Sequence, residues 1–316
     1  MPKIVYADMH CDSVTVCCDR GGNLFDFNGQ ANVKNLIESG CETQCFALFT
    51  EGQNAAADFE KFMAFYNAQI TIEPHILPVE RCSDIEKAAK SGKIAAVLTV
   101  ENMGFLNGNT AKIKRLADSG VKMASLVWNN ANAFAFPNLI FKEGVPDFFA
   151  RERRGLTAAG KEAVNELNAN RIIIDVSHLS DGGVDDVLAL SAAPVVASHS
   201  NCAAVCNVSR NLTDEQIKKI ADGGGIVGLN FCRDFIGGES AFGGLYEHLT
   251  HLINSGGEDV AALGSDFDGI PPYSELADCT FVQKLLEYFS RRGISGRQLE
   301  KLARGNFYRV FKEVVG

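Results

Sequence analysis

Ile4-Val5-Tyr6-Ala7-Asp8-Met9-His10-Cys11-Asp12 is an apolar run that ends in His-x-Asp. Such a run reads as a buried strand. Side chains alternate across a strand, so residues two apart share a face. His10 and Asp12 therefore aim an imidazole and a carboxylate at one point where the strand stops, which is what a divalent ion needs of its first two ligands. Cys11, between them, is expected on the opposite face. The pattern recurs along the chain. The run Ile94 to Val100 ends in Glu101, Ile172 to Ser177 in His178, Pro194 to Ser198 in His199, and Val260 to Ser265 in Asp266. Three of the six histidines thus stand at strand ends. Each alone could be a hydrogen-bonded strand cap. Together they match how metal and catalytic sites recruit His with carboxylates.

Eight strand candidates can be marked: 3–8, 44–49, 94–100, 122–128, 172–177, 194–198, 226–231 and 260–265. They are continuous apolar runs, as expected of parallel strands covered on both faces. Helix signals lie between them. Thr213-Asp214-Glu215-Gln216 is a capping box, Gly223-Gly224-Gly225 ends that helix, and Ser295-Gly296-Arg297-Gln298 opens a final one. This alternation predicts a (β/α)8 TIM-type barrel, a single domain over residues 1–316, with an open doubly wound sheet as the alternative. The site candidates favour the barrel. They fall at the C-terminal ends of the first, third, fifth, sixth and eighth strands, and only closure makes the first and eighth neighbours.

The longest irregular stretch, 129–155, is expected to form a loop over the barrel mouth, with Arg151-Glu152-Arg153-Arg154 as a solvated charge cluster. His248 and His251 read as an ordinary outer-helix pair, and His75 as a loop residue without function.

The 316 residues carry a formal charge of −9, 46% hydrophobic and 22% charged residues. The acidic balance argues against a nucleic-acid partner, which wants a basic face. No apolar run approaches the roughly 18 residues of a membrane span. A strand so near the first residue leaves no room for a signal peptide, and the last residues resemble no lipid-anchor signal, so a cytoplasmic protein is expected. The ten cysteines are then reduced, mostly buried thiols. Cys41/Cys45 and Cys202/Cys206 lack the Cys-x-x-Cys spacing of structural zinc. The assembly is open, a homodimer included.

Six pieces together resemble the membrane (renal) dipeptidase family of metal-dependent amidohydrolases. They are Asp8-Met9-His10-Cys11-Asp12, Thr99-Val100-Glu101-Asn102, Asp175-Val176-Ser177-His178, Ala197-Ser198-His199-Ser200, Ser209-Arg210-Asn211 and Gly264-Ser265-Asp266-Phe267-Asp268-Gly269. They run in family order across nearly the whole chain. The resemblance implies a (β/α)8 barrel with two zinc ions. His10 and Asp12 would bind the first, His178 and His199 the second, and Glu101 would bridge them. Arg210 matches the residue that holds the substrate's terminal carboxylate, and Asp266 the acid that moves protons. The sequence departs from the family after the fourth strand, where Asn129 takes the place of a His that polarises the scissile carbonyl. Asn donates a hydrogen bond but carries no charge.

The implied reaction is hydrolysis of small dipeptides, L-Xaa-L-Xaa and also L-Xaa-D-Xaa. Two ions about 3.5–4 Å apart share a water and lower its pKa toward neutrality, and the hydroxide attacks the carbonyl. Asp266 would pass the proton to the leaving amine. Arg210 offers a planar fork for a carboxylate that Lys could not copy. Two other readings stand beside this one. The first is a related metal hydrolase acting on a non-peptide amide, although such enzymes usually open with His-x-His. The second is a non-catalytic barrel, which loss of a ligand would signal.

Overall fold

The computed structural model describes residues 3–316. Eight parallel strands form a nearly closed barrel in sequence order: β1 Tyr6–Cys11, β2 Cys41–Phe49, β3 Ile94–Glu101, β4 Val121–Ser125, β5 Ile173–Asp175, β6 Val196–Ala197, β7 Ile226–Leu229 and β8 Ala261–Leu263. All eight expected strands are present. Several are shorter than their apolar runs, because ladder pairing stops before the run does. A short strand, Ile76–Pro78, pairs with β3 outside the ring. The stretch 129–155 contains an antiparallel hairpin, Ile140–Lys142 with Val145–Asp147, where only a loop was expected.

The ladders are unequal. β2 and β3 pair over seven residues, whereas β5 and β6 share the single pair Asp175–Val196. Buried backbone groups need partners, and two buried carboxylates supply them at the thin seams. Asp175 accepts the amides of Ser177 and Ser198, both at 2.9 Å, and the Ser198 hydroxyl at 2.5 Å. Asp8 accepts the Ser265 amide at 2.8 Å and its hydroxyl at 2.5 Å, joining β1 to the end of β8. The same seam carries Asp12 N–H to Phe267 C=O at 2.9 Å and Asp266 N–H to His10 C=O at 3.2 Å. On the other side of β8, Gly264 allows close approach to the ends of β6 and β7, since a Cβ would collide with the Ser198 carbonyl.

The interior is layered. Met9, Cys45, Val97, Met123, Ile173, Val196, Ile226 and Ala262 fill the lower barrel as one buried cluster. Phe307, Val310 and Phe311, on the helix Asn306–Val314, plug its lower end. The outer helices pack on the other face of the strands around a second, larger cluster. Both expected capping boxes form, at Thr213/Gln216 and Ser295/Gln298. With the bottom sealed by hydrocarbon, the polar chemistry is confined to the upper rim. No helix among the described residues is long and apolar enough to cross a membrane.

Candidate active site

At the rim, His10, Asp12, Glu101, Asn129, His178, Arg210 and Asp266 come together, and all but His10 line a cavity of about 380 Å³. His199 lies beneath it, fully buried. Local backbone explains the aim of each. A register shift between Asp8 and Cys11 interrupts β1. Ala7 and Met9 face the interior, and Cys11 lies in the outer cluster as expected, so the shift turns the strand's end over. His10 and Asp12 converge to 3.4 Å through this irregularity rather than by simple alternation. Asp12 stands at the N-cap of helix Ser13–Arg20 without making a side-chain capping bond, which leaves its carboxylate for the site. Asn102, His178, Asp266 and Asp268 all have positive φ, between 66° and 70°. Such strain gathers where surrounding contacts over-determine the backbone.

Glu101, the last residue of β3, stands at the centre. Its Oε2 is 3.6 Å from His10 Nε2, while its Oε1 is 3.1 Å from His178 Nε2 and 3.5 Å from His199 Nε2. The rings of His10 and His199 stack at 3.9 Å. His178 Nε2 and His199 Nε2 face each other at 3.0 Å. The ligand atoms of His10, Glu101 and His199 lie within 4.8 Å of one another, and so do those of His10, Asp12 and Asp266. His10 Nε2 and Asp12 Oδ1 are buried without hydrogen-bond partners. Buried polar atoms are ordinarily satisfied. Orphaned nitrogen and oxygen donors converging at this spacing fit a divalent cation.

The electrostatics divide at Glu101. Burial would lower the His10 imidazole, but Glu101 and Asp12 outweigh it and hold its proton well above the ordinary range. Burial, and then Glu101, push Asp12 up to about 6. Burial raises Asp266 to about 7, with His10 opposing and the Asp12 and Glu101 carboxylates adding to the rise. On the other side, burial and then Arg210 lower His178 to about 4. Burial and then His10 hold His199 well below its usual value, so both imidazoles are neutral and have a lone pair to offer.

Arg210 is 4% exposed. Its Nη2 donates to His178 Nε2 at 3.1 Å and to the His199 carbonyl at 3.2 Å, its guanidinium lies 5.4 Å from the Phe235 ring, and its Nε has no partner. A buried cation with a free donor beside a cavity is equipped to receive an anion. Asn129 is directed at His178: its Oδ1 lies 2.9 Å from His178 Nδ1.

Several supporting residues were not singled out from the sequence. Asn230, just beyond β7, donates to Asp266 Oδ2 at 3.0 Å and to the His199 carbonyl at 3.1 Å. Its signal was a polar residue inside an apolar run. Asp268 accepts the Ser13 hydroxyl at 2.6 Å and the Gln30 amide at 2.7 Å, latching the turn that presents Asp266.

Two expectations are corrected. Arg151 is not simply solvated: it donates to Asp181 at 2.8 Å and to the Asn211 carbonyl at 2.7 Å, tying the hairpin segment to the turn that carries Arg210. His248 is fully buried, and only its neighbour His251 matches the outer-helix reading. His248 Nδ1 accepts the Cys202 amide at 3.1 Å and Nε2 donates to the Ile236 carbonyl at 3.0 Å. A helix-period argument places a residue on a face but does not say which loops cover that face.

The family model for membrane dipeptidases, peptidase family M19, matches residues 1–315. The chain belongs to the membrane dipeptidase family. It is 35% identical over 244 residues to a Klebsiella pneumoniae protein from the pqqA 5′ region, covering 73% of this chain and 86% of that protein. It is 33% identical over 240 residues to a Schizosaccharomyces pombe protein described as a dipeptidase, covering 73% of this chain and 56% of that one. A crystal structure of dipeptidase AC, a family M19 metallopeptidase, superposes with a TM-score of 0.91 at 26% identity, covering 99% of each chain. As a member of this family the protein is a metallo-dipeptidase, a peptide-bond hydrolase that works with a metal cofactor.

Proposed function

We propose that the protein is a zinc-dependent dipeptidase with a binuclear site, acting on L-Xaa-L-Xaa and L-Xaa-D-Xaa dipeptides. The observation that carries the two-ion reading is Glu101, whose two oxygens face different donor sets. His10 and Asp12 would hold one ion, His178 and His199 the other, with Glu101 shared. When bound, such a pair polarises a carbonyl and makes water nucleophilic at neutral pH.

The chain's own groups supply the rest. Arg210 receives the substrate's terminal carboxylate on its free donors, which sets the register of the peptide bond against the donor cluster. Asp266, buried and raised to about 7, is suited to take a proton from water and return it to the leaving amine. Asn230 and the Asp268 latch hold that carboxyl in place. Phe49, Trp128, Leu139 and Phe148 line the cavity and exclude water around the reacting bond. Catalysis requires the carbonyl and the carboxylate to be placed, while the second side chain points toward the open mouth. That freedom supports turnover of a D-residue there.

Elemental analysis of purified protein combined with a substrate panel tests the reading. Close to two zinc ions, loss of activity on chelation, turnover of matched L,L and L,D dipeptides, and poor turnover of C-terminal amides are expected. Preference for a non-peptide cyclic amide over every dipeptide would move the protein to the related amide-hydrolase class.

A further inference from the structure

An imidazole that offers Nε2 to a cation must carry its proton on Nδ1, and that N–H needs an acceptor. The two neutral histidines of the site meet this need differently. His199 Nδ1 lies 2.7 Å from Ser198 Oγ, which donates to Asp175 Oδ2 at 2.5 Å. Its acceptor is therefore a hydroxyl polarised by a buried carboxylate. His178 Nδ1 has the neutral amide oxygen of Asn129 at 2.9 Å.

Apart from the groups at Nε2, the remaining contacts of His178 fix its backbone and bracket its ring. Its carbonyl accepts the Asn138 amide at 2.7 Å, and its φ is +67°. Trp128, set edge-on to Phe49 at 4.8 Å, lies 5.9 Å from the His178 ring on one side, with His199 at 5.1 Å on another. Neither contact selects a tautomer. At Nε2 the neighbours compete. Arg210 Nη2 donates at 3.1 Å and favours a proton on Nδ1, whereas Glu101 Oε1 at 3.1 Å can only accept and favours one on Nε2, with His199 Nε2 at 3.0 Å. A cation bound at Nε2 would replace all three contacts. The amide of Asn129 is then what keeps the proton on Nδ1.

We propose that Asn129 is a positioning residue. It holds His178 as the Nδ1–H tautomer with Nε2 turned to Glu101 Oε1, and so sets the affinity of the cation that His178 and His199 share. Its acceptor serves His178 rather than the substrate. The inference rests on the two-ion reading above.

Metal titration tests it without reference to any substrate. Full-length protein is stripped with a chelator and titrated with Zn²⁺ against a chromophoric competitor, for wild type, Asn129→Ala, Asn129→Leu, Asn129→Asp and His178→Ala. Circular dichroism of each stripped variant checks folding, and Asn129→Leu stands in if the alanine variant is unfolded. Asn129→Ala should weaken one of two binding steps about 10- to 100-fold, the cost of losing an outer partner of a ligating histidine. His178→Ala should abolish that same step. Asn129→Asp keeps an acceptor and should bind at least as tightly as wild type. The dipeptidase activity of Asn129→Ala should climb as free zinc is raised.

Unchanged binding steps in Asn129→Ala and Asn129→Leu, with kcat/KM reduced at every zinc concentration, would overturn the proposal and assign the amide to the substrate. Uptake of fewer than two ions by wild type would instead defeat the two-ion reading, and this inference with it.

Discussion

The two sides of Glu101 use the same residue types to opposite ends. On one side His10 stands among Asp12, Glu101 and Asp266, and its proton is held tightly. On the other, His178 loses its proton to burial and the Arg210 charge, and His199 to burial and the charge of His10 stacked on it. Burial is common to both, so the difference comes from neighbours. Without a cation the acid-rich half holds protons, which an ion at His10 and Asp12 would displace, leaving Asp266 to move them. The arginine-bearing half offers lone pairs and receives an anion. Glu101, with one oxygen toward each, belongs to both.

The sharpest way to break this division is at the shared group. Glu101→Gln should lose zinc from both sides and lower kcat/KM by roughly 10⁴-fold or more, because several kcal/mol of charge stabilisation leaves with the ions. Zinc content by elemental analysis and steady-state kinetics check this, and a variant that keeps two ions would show that Glu101 is not shared.

A smaller effect is expected within the acidic half. Asp266→Asn should lower kcat by at least about 10²-fold, the lower range for acid–base catalysis, with zinc content near that of wild type. Wild-type turnover in this variant would remove Asp266 from the reaction.

In the basic half, Arg210→Met should act on binding. KM for dipeptides should rise tenfold or more while kcat changes less, since a buried carboxylate loses its partner at about 2–5 kcal/mol. Equal KM values for free and C-terminally amidated dipeptides in wild type would contradict the assignment.

The smallest effect separates the halves by pH in the stripped protein. Asp266 is raised to about 7 from an ordinary 3.8. Between those values the folded state binds more protons than the unfolded, so this group's contribution to stability falls as pH climbs from about 4 to 7. His178, lowered to about 4 from 6.5, binds fewer protons folded than unfolded, and its contribution falls as pH drops through that window. Asp266→Asn should therefore stabilise the metal-free protein at pH 8, on the order of 2 kcal/mol, and much less at pH 4. Urea unfolding of both proteins at pH 4, 6 and 8 measures the trend. A pH-independent difference would mean that Asp266 is not ionised against a cost.

Read alone, the sequence determined the barrel and the composition of its rim. Apolar runs and capping boxes are local signals, and residues such as Glu101 and His199 are visible because a polar group abruptly ends a hydrocarbon run. Strand limits were less legible at β5 and β6, where hydrophobicity extends beyond the ladder and buried Asp175 replaces backbone pairing. The hairpin at 140–147, the burial of His248 and the anchoring of Arg151 were not legible, since each depends on a segment distant in the chain. Tertiary structure alone decided that the irregularity in β1 turns His10 toward Asp12, that Glu101 presents one oxygen to each donor set, that Asn230 grips Asp266, and that Asn129 meets His178. The physical reason is one of range. Backbone periodicity is written in neighbouring residues, whereas a hydrogen bond between positions 129 and 178 exists only after the barrel brings the ends of β4 and β5 side by side.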